Sequence, residues 1–247
     1  MTSRIRLGAL TPSSNTVLEP VTTAMLAGLP GASAHFSRFR VTAIALSASS
    51  MAQFDAAEIT RAAALLADAR VNVIGWSGTS SSWLGFGTDE ALCRKITEAT
   101  GIPACTSVLA LNEIFARSGV KRFGLVSPYT REVQERIVAN YRSAGLECVV
   151  ERHLDIEDNY SFSEVGSDQL RAMIREVAAS QPDAIAVLCT NLRAAPLVDA
   201  LERELGIPIY DSVATVVWKS LRLAGADPAQ VRGWGRLFME DSPHAGA

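Results

Sequence analysis

Short apolar runs rich in β-branched residues alternate along this chain with longer Ala- and Leu-rich stretches of helical period. The runs predict strands over 5–10, 34–41, 71–76, 123–126, 147–151 and 184–188. Several, such as 71–76 and 184–188, are nearly continuous apolar runs, as strands buried in a parallel sheet are. Between them the spacing predicts helices over 55–69, 89–100, 108–118, 131–143, 168–180, 196–205 and 214–223. A further helix is expected after Asn15. Strand–helix alternation of this kind specifies an α/β protein with largely parallel sheets covered on both sides. In such sheets the functional loops lie beyond the C-terminal ends of the strands.

The pattern is written twice. Leu7-Gly8-Ala9-Leu10-Thr11-Pro12-Ser13 returns as Phe123-Gly124-Leu125-Val126-Ser127-Pro128-Tyr129, an offset of 116. The strand end Ile74-Gly75-Trp76-Ser77-Gly78-Thr79 matches Ile185-Ala186-Val187-Leu188-Cys189-Thr190 at an offset of 111. Gly101-Ile102-Pro103 with Ser107-Val108 matches Gly206-Ile207-Pro208 with Ser212-Val213 at an offset of 105. Three landmarks in one order predict two related α/β lobes around a pseudo-twofold axis, with the site at their interface. The expected lobes are residues 1–120 and 121–247, with segment 213–240 able to pack back onto the first. At the second landmark Gly78 stands opposite Cys189, so a central cleft would carry a thiol on one wall only.

Composition narrows the function. The 247 residues are 48% hydrophobic and carry a net charge of −3, with the charges interspersed. That is no surface for non-specific nucleic-acid binding. No run approaches the ~20 apolar residues of a membrane span. The start, Met1-Thr2-Ser3-Arg4-Ile5-Arg6, reads as no signal segment, so the expected location is cytoplasmic. Cys93, Cys105, Cys148 and Cys189 form no CxxC pair and the three histidines are scattered, which argues against a structural zinc site. Cys93, Cys105 and Cys148 read as small buried hydrophobes. The chain has neither a P-loop nor a GxGxxG after a strand, so no nucleotide cofactor is expected. A homo-oligomer is compatible with the sequence.

Three loops concentrate polar chemistry. Ser77-Gly78-Thr79-Ser80-Ser81-Ser82 leaves a buried strand. Its small residues let backbone N–H groups and hydroxyls converge on a carboxylate or oxyanion, or merely turn the chain before a helix near Thr88. Cys189, with Thr190-Asn191-Leu192-Arg193, reads as a thiol facing the crevice or as a spacer at a strand end. In the first case nearby N–H groups and Arg193 are expected to lower its pKa. Thr11-Pro12-Ser13-Ser14-Asn15 offers hydroxyls and a carboxamide for an anion, or a helix cap. Tyr129, the counterpart of Ser13, reads as a phenol pointing into the same cleft or as a half-buried packing ring. Trp76, Trp83 and Phe86 read equally as pocket wall or core, and the segment around Asp158-Asn159-Tyr160 as a loop over the site. The aromatics of 233–238 are expected to dock on the body, and Ser242–Ala247 to be disordered.

At these residues the chain resembles the aspartate/glutamate racemase superfamily, closest to its arylmalonate decarboxylase and maleate cis-trans isomerase branches. Pro12-Ser13-Ser14-Asn15-Thr16, Tyr129, Asn159 and Cys189-Thr190-Asn191 resemble the isomerases. Gly78-Thr79-Ser80 and Gly233-Trp234-Gly235-Arg236-Leu237-Phe238 resemble the decarboxylases. Racemases and isomerases of this superfamily use two thiols, one from each half; decarboxylases have a glycine at the first position, as here. The resemblance therefore implies cofactor-free decarboxylation of a substituted malonate. Thr79, Ser80, Tyr129 and the backbone around Thr190 would form a dioxyanion hole, with Cys189 as proton donor. Asn15 and Asn159 carry over as carboxylate binders, with Ser13, Gly78, Thr190 and Asn191 completing the expected substrate-binding set. The alternative is a maleate isomerase or racemase of a small dicarboxylate. A third reading is a non-catalytic small-carboxylate binder, since a fold alone guarantees no activity.

Overall fold

The computed structural model describes residues 4–239; the expectation for Ser242–Ala247 lies outside them. Among the described residues, eight strands form two four-stranded parallel sheets. The first contains β1 (Ile5–Pro12), β2 (Ala32–Phe39), β3 (Val73–Trp76) and β4 (Ala104–Thr106) in the order β2-β1-β3-β4. The second contains β5 (Arg122–Ser127), β6 (Glu147–His153), β7 (Ala184–Val187) and β8 (Ile209–Asp211) in the order β6-β5-β7-β8. The written repeat is thus a repeat of topology, and register follows it: Gly8 pairs with Ile74 as Gly124 pairs with Ile185. The inner strands β3 and β7 are buried along their whole length, which is why they read as unbroken apolar runs.

Ten α-helices flank the sheets among the described residues: α1 (Leu18–Leu26), α2 (Ala48–Ala52), α3 (Ala56–Asp68), α4 (Ser81–Leu84), α5 (Gly87–Thr100), α6 (Ser107–Arg117), α7 (Arg131–Ser143), α8 (Ser167–Ala178), α9 (Ala195–Leu205) and α10 (Ser212–Leu223). The third landmark has a mechanical reason. Gly101 and Gly206 end α5 and α9 in the left-handed region, at φ 70° and 73°, where glycine alone carries no Cβ penalty. A short strand follows, and then a cap. The Thr106 hydroxyl accepts from the Leu109 N–H at 3.0 Å, and the Asp211 carboxylate accepts from Val213 N–H at 2.8 Å. The three-residue strands β4 and β8 escaped the sequence pattern because they are too short to show a period. The helical turn α4 also replaces part of what reads as an open loop.

The halves are bound together by more than the cleft. Helix α10 packs on α6 and against β3. Gly75 makes that approach feasible, since a Cβ there would lie 2.9 Å from Val216 Cγ2. The Thr215 hydroxyl donates to the Ser107 carbonyl at 3.0 Å. Farther on, Leu237 and Phe238 are buried, and the Arg236 N–H donates to Glu202 at 2.6 Å, so the 233–238 aromatics dock as expected.

Candidate active site

The strand ends of the two sheets face one another, and the loops after β1, β3, β5 and β7 meet. The Tyr129 hydroxyl, delivered by the loop after β5, lies 2.5 Å from Thr79 Oγ1 on the loop after β3. The Cys189 thiol beyond β7 lines the same cavity, near enough to the Tyr129 hydroxyl for each to affect the other's protonation. The phenol therefore ties the second half to the polar rim of the first, beside the wall that carries the sulfur. Thr79, Ser80, Tyr129, Asn159, Cys189 and Thr190 are all buried. They border one cavity with Gly78, Trp76, Trp83, Val41, Ile44 and Phe54. The free space is about 20 Å³, room for roughly one water molecule.

Among the described residues, the backbone N–H groups of Gly78, Thr79, Ser80 and Thr190 have no protein acceptor. Buried N–H groups left unpaired are costly, and a carboxylate between the two loops would satisfy them.

Cys189 departs from expectation. Its pKa is pushed up to about 12 by burial, which outweighs the Asn191 N–H that donates to the sulfur at 3.3 Å and the nearby Tyr129 hydroxyl. Arg193, expected to acidify it, points to Glu164 at 4.0 Å and is largely exposed. The physical reason is dielectric: a thiolate inside this packed cavity loses its hydration and finds no cation in return. The site holds a neutral thiol that can give a proton. Burial likewise raises Tyr129 well above the ordinary phenol value, so it too stays protonated.

Three residues of the expected substrate-binding set lie outside the cavity lining and brace it instead. Asn15 accepts from the N–H groups of Val17 and Leu18 at 3.0 and 2.9 Å, capping α1, and its amide donates to Thr190 Oγ1 at 3.1 Å. Thr190 then donates to the Ser77 carbonyl at 3.1 Å. Asn191 accepts from the Thr16 N–H at 3.0 Å and donates to the Asn159 carbonyl at 2.6 Å. Ser13 accepts from the Val41 N–H at 3.2 Å. The Asn15 amide and the Asn191 carbonyl oxygen tie one half to the other, while Ser13 fixes the segment after β2 within the first half. Asn159 does both, lining the cavity while its amide donates to Ser14 Oγ at 2.7 Å.

The segment around Asn159 covers the site. It is pinned to the segment after β2 by Ile44 N–H to Glu157 carbonyl at 2.9 Å and Asn159 N–H to Thr42 carbonyl at 2.9 Å. Val41, Ile44 and Phe54 were not among the sequence candidates. The available signal was that β2 also ends at this rim. Of the undecided aromatics, Trp76 and Trp83 line the cavity, whereas Phe86 packs on Tyr141 with ring centroids 5.0 Å apart. Cys105 is buried, but Cys93 and Cys148 are only partly so. No helix of the described residues is long and apolar enough to cross a membrane.

Two parallel-sheet lobes that bring a thiol, a phenol and two polar loops to one shared cavity define a two-lobed α/β protein. The sequence matches the arylmalonate decarboxylase family over residues 18–238. A maleate isomerase of Nocardia farcinica is 29% identical over 244 residues, covering 96% of each chain. An arylmalonate decarboxylase of Bordetella bronchiseptica is 30% identical over 171 residues, 68% of this chain and 71% of that one. Among solved structures, a cysteine-to-serine mutant of the Nocardia farcinica maleate cis-trans isomerase, holding a covalently bound succinylcysteine intermediate, superimposes with a TM-score of 0.87 at 28% identity, covering 97% of this chain and 100% of that one. The chain belongs to the arylmalonate decarboxylase family, whose relatives here are enzymes of two kinds, decarboxylase and isomerase.

Proposed function

We propose that this protein is a cofactor-independent enzyme acting on a small dicarboxylate, and that its reaction is decarboxylation of a substituted malonate. The observation that supports this most is the pairing of Gly78 with a buried, protonated Cys189. One carboxylate would sit between the Gly78–Ser80 and Thr190 N–H groups, with the Thr79 and Tyr129 hydroxyls beside it. The other would lie toward the apolar wall of Val41, Ile44 and Phe54. The bond from the α-carbon to that second carboxyl breaks and CO₂ leaves. Its electron pair passes into the retained carboxylate as an enediolate, which the donors hold. Cys189 then gives its proton to the α-carbon, and the thiolate recovers one from water. Donors fixed where charge develops are worth ~3–4 kcal/mol each in such sites. A thiol held neutral by burial suits the protonation step, whereas addition of sulfur to a double bond needs the thiolate.

Whole-chain similarity favours a second reading, maleate cis-trans isomerisation, because the more extensive matches are to maleate isomerases and the Asn15, Asn159 and Asn191 positions fit that branch. We place the decarboxylase first because overall identity weights every position alike, while a reaction turns on the few groups that touch the reacting carbon.

The test is direct. The purified protein is incubated with a panel of α-aryl and α-alkenyl malonates, with CO₂ release followed, and separately with maleate under proton NMR. CO₂ release that Cys189→Ala removes supports the first reading. Fumarate without CO₂ release overturns it in favour of the second. Tight binding of both acids with no turnover leaves the carboxylate-binding reading.

A further inference from the structure

The glycine at 78 is enforced by a neighbour. Its backbone lies outside the left-handed region, so no special φ demands glycine. Space does: a Cβ there would lie 2.0 Å from Trp76 Cζ2 and 2.4 Å from Cε2. No observed Cβ tolerates such contacts. The obstacle is the body of an indole that is 1% exposed and packed on Phe39 with ring centroids 5.0 Å apart, and it cannot swing aside as a flexible tip would.

We propose that Trp76 is a specificity-determining residue: its indole occupies the volume that a side chain at position 78 would need, keeps the site to one sulfur, and walls the substrate on the side away from Cys189. Its chemical consequence rests on the single-thiol reading above; its steric basis does not. Gly78 and Cys189 are equivalent positions of the two halves, so a group at 78 would address the substrate from the face opposite the thiol. With the indole there, a proton reaches the α-carbon from the Cys189 side alone. With a sulfur there, one thiolate removes the α-proton, the pair passes into the carboxylate as enediolate, and the other thiol delivers a proton to the opposite face.

A double-mutant cycle of Gly78→Cys and Trp76→Ala tests this, read by thermal unfolding and by deuterium exchange at the α-carbon of each enantiomer of an α-aryl propionate. If the two groups compete for one volume, Gly78→Cys alone lowers Tm strongly, and adding Trp76→Ala raises it again, so the losses are not additive. The double variant alone exchanges both enantiomers, at least tenfold faster than either single variant. Should Gly78→Cys not fold, Gly78→Ala in the same cycle asks the same question with a smaller group. A Gly78→Cys or Gly78→Ala protein with wild-type Tm, strictly additive losses, or equal two-enantiomer exchange with and without Trp76→Ala would overturn the assignment. Absence of malonate turnover in the unmutated protein, together with a non-additive cycle, would overturn the proposed function and uphold the steric role of Trp76.

Discussion

The two halves share strand order, register and caps, yet their strand ends are chemically unlike. Beyond β3 the chain offers Gly78 under an indole, then hydroxyls and free N–H groups. Beyond β7 it offers a sulfur that accepts from the Asn191 N–H. The caps differ as well: Thr106, neutral, in the first half and Asp211, ionisable, in the second. The chain thus carries two copies of one frame that differ at single positions, and under the proposed function one wall cradles charge while the other supplies a proton. The shared frame explains why the two walls meet; the differences explain why they do not do the same work.

The sharpest way to break that contrast is Cys189→Ala. It should lower malonate turnover by 10³-fold or more while ligand-induced thermal stabilisation persists, because the opposite wall still binds the acid. Next comes the bridge between the walls. Tyr129→Phe should lower kcat by about 10²-fold, the scale of losing one oxyanion donor, and Thr79→Val by a similar factor, with smaller changes in KM. Equal kcat in these variants would move the oxyanion site elsewhere.

A third comparison concerns thiol acidity. With its pKa near 12, Cys189 has a thiolate fraction of only about 10⁻⁴ at pH 8. Iodoacetamide should therefore label it far more slowly than a free thiol, with a rate still rising above pH 10. Rapid labelling at pH 7 would show an acidic thiol and favour sulfur addition chemistry.

The smallest effect separates the halves through buried acids. Asp211, its second oxygen without a partner, is raised by burial from 3.8 to about 7. Asp89, accepting from the Ser81 hydroxyl at 2.7 Å, is raised by burial from 3.8 to about 6. A folded-state pKa above the unfolded one favours the protonated folded form. The stability each contributes is complete below about pH 4 and is lost as pH rises through 6 for Asp89 and 7 for Asp211. Asp211→Asn should retain the cap and flatten the upper part of that decline in Tm, and Asp89→Asn the lower part. An unchanged Tm–pH curve in both variants would place both acids in a more hydrated setting.

Much of the frame was legible because it rests on local rules. Unbroken apolar runs mark strands buried on both faces, and the Gly-Ile-Pro landmarks mark a left-handed helix end followed by a short strand and a cap. The pairing of Gly78 with Cys189, and the likeness of Thr79 to Thr190, can be read from the repeat itself. What stayed out of reach are quantities that depend on packing between distant segments. Burial reversed the expected acidity of Cys189, and Arg193 turned outward to Glu164. Hydrogen bonds made Ser13, Asn15 and Asn191 into braces. The closure of the segment after β2 brought Val41, Ile44 and Phe54 onto the site. The indole over Gly78 belongs to both lists: Trp76 is two residues away in sequence, but only the tertiary fold, packing it against Phe39, fixes which way the ring lies. Side-chain direction and local dielectric are set by neighbours that the chain supplies from elsewhere, so the sequence determined the frame and the chemical inventory while the folded structure decided which groups line the shared cavity.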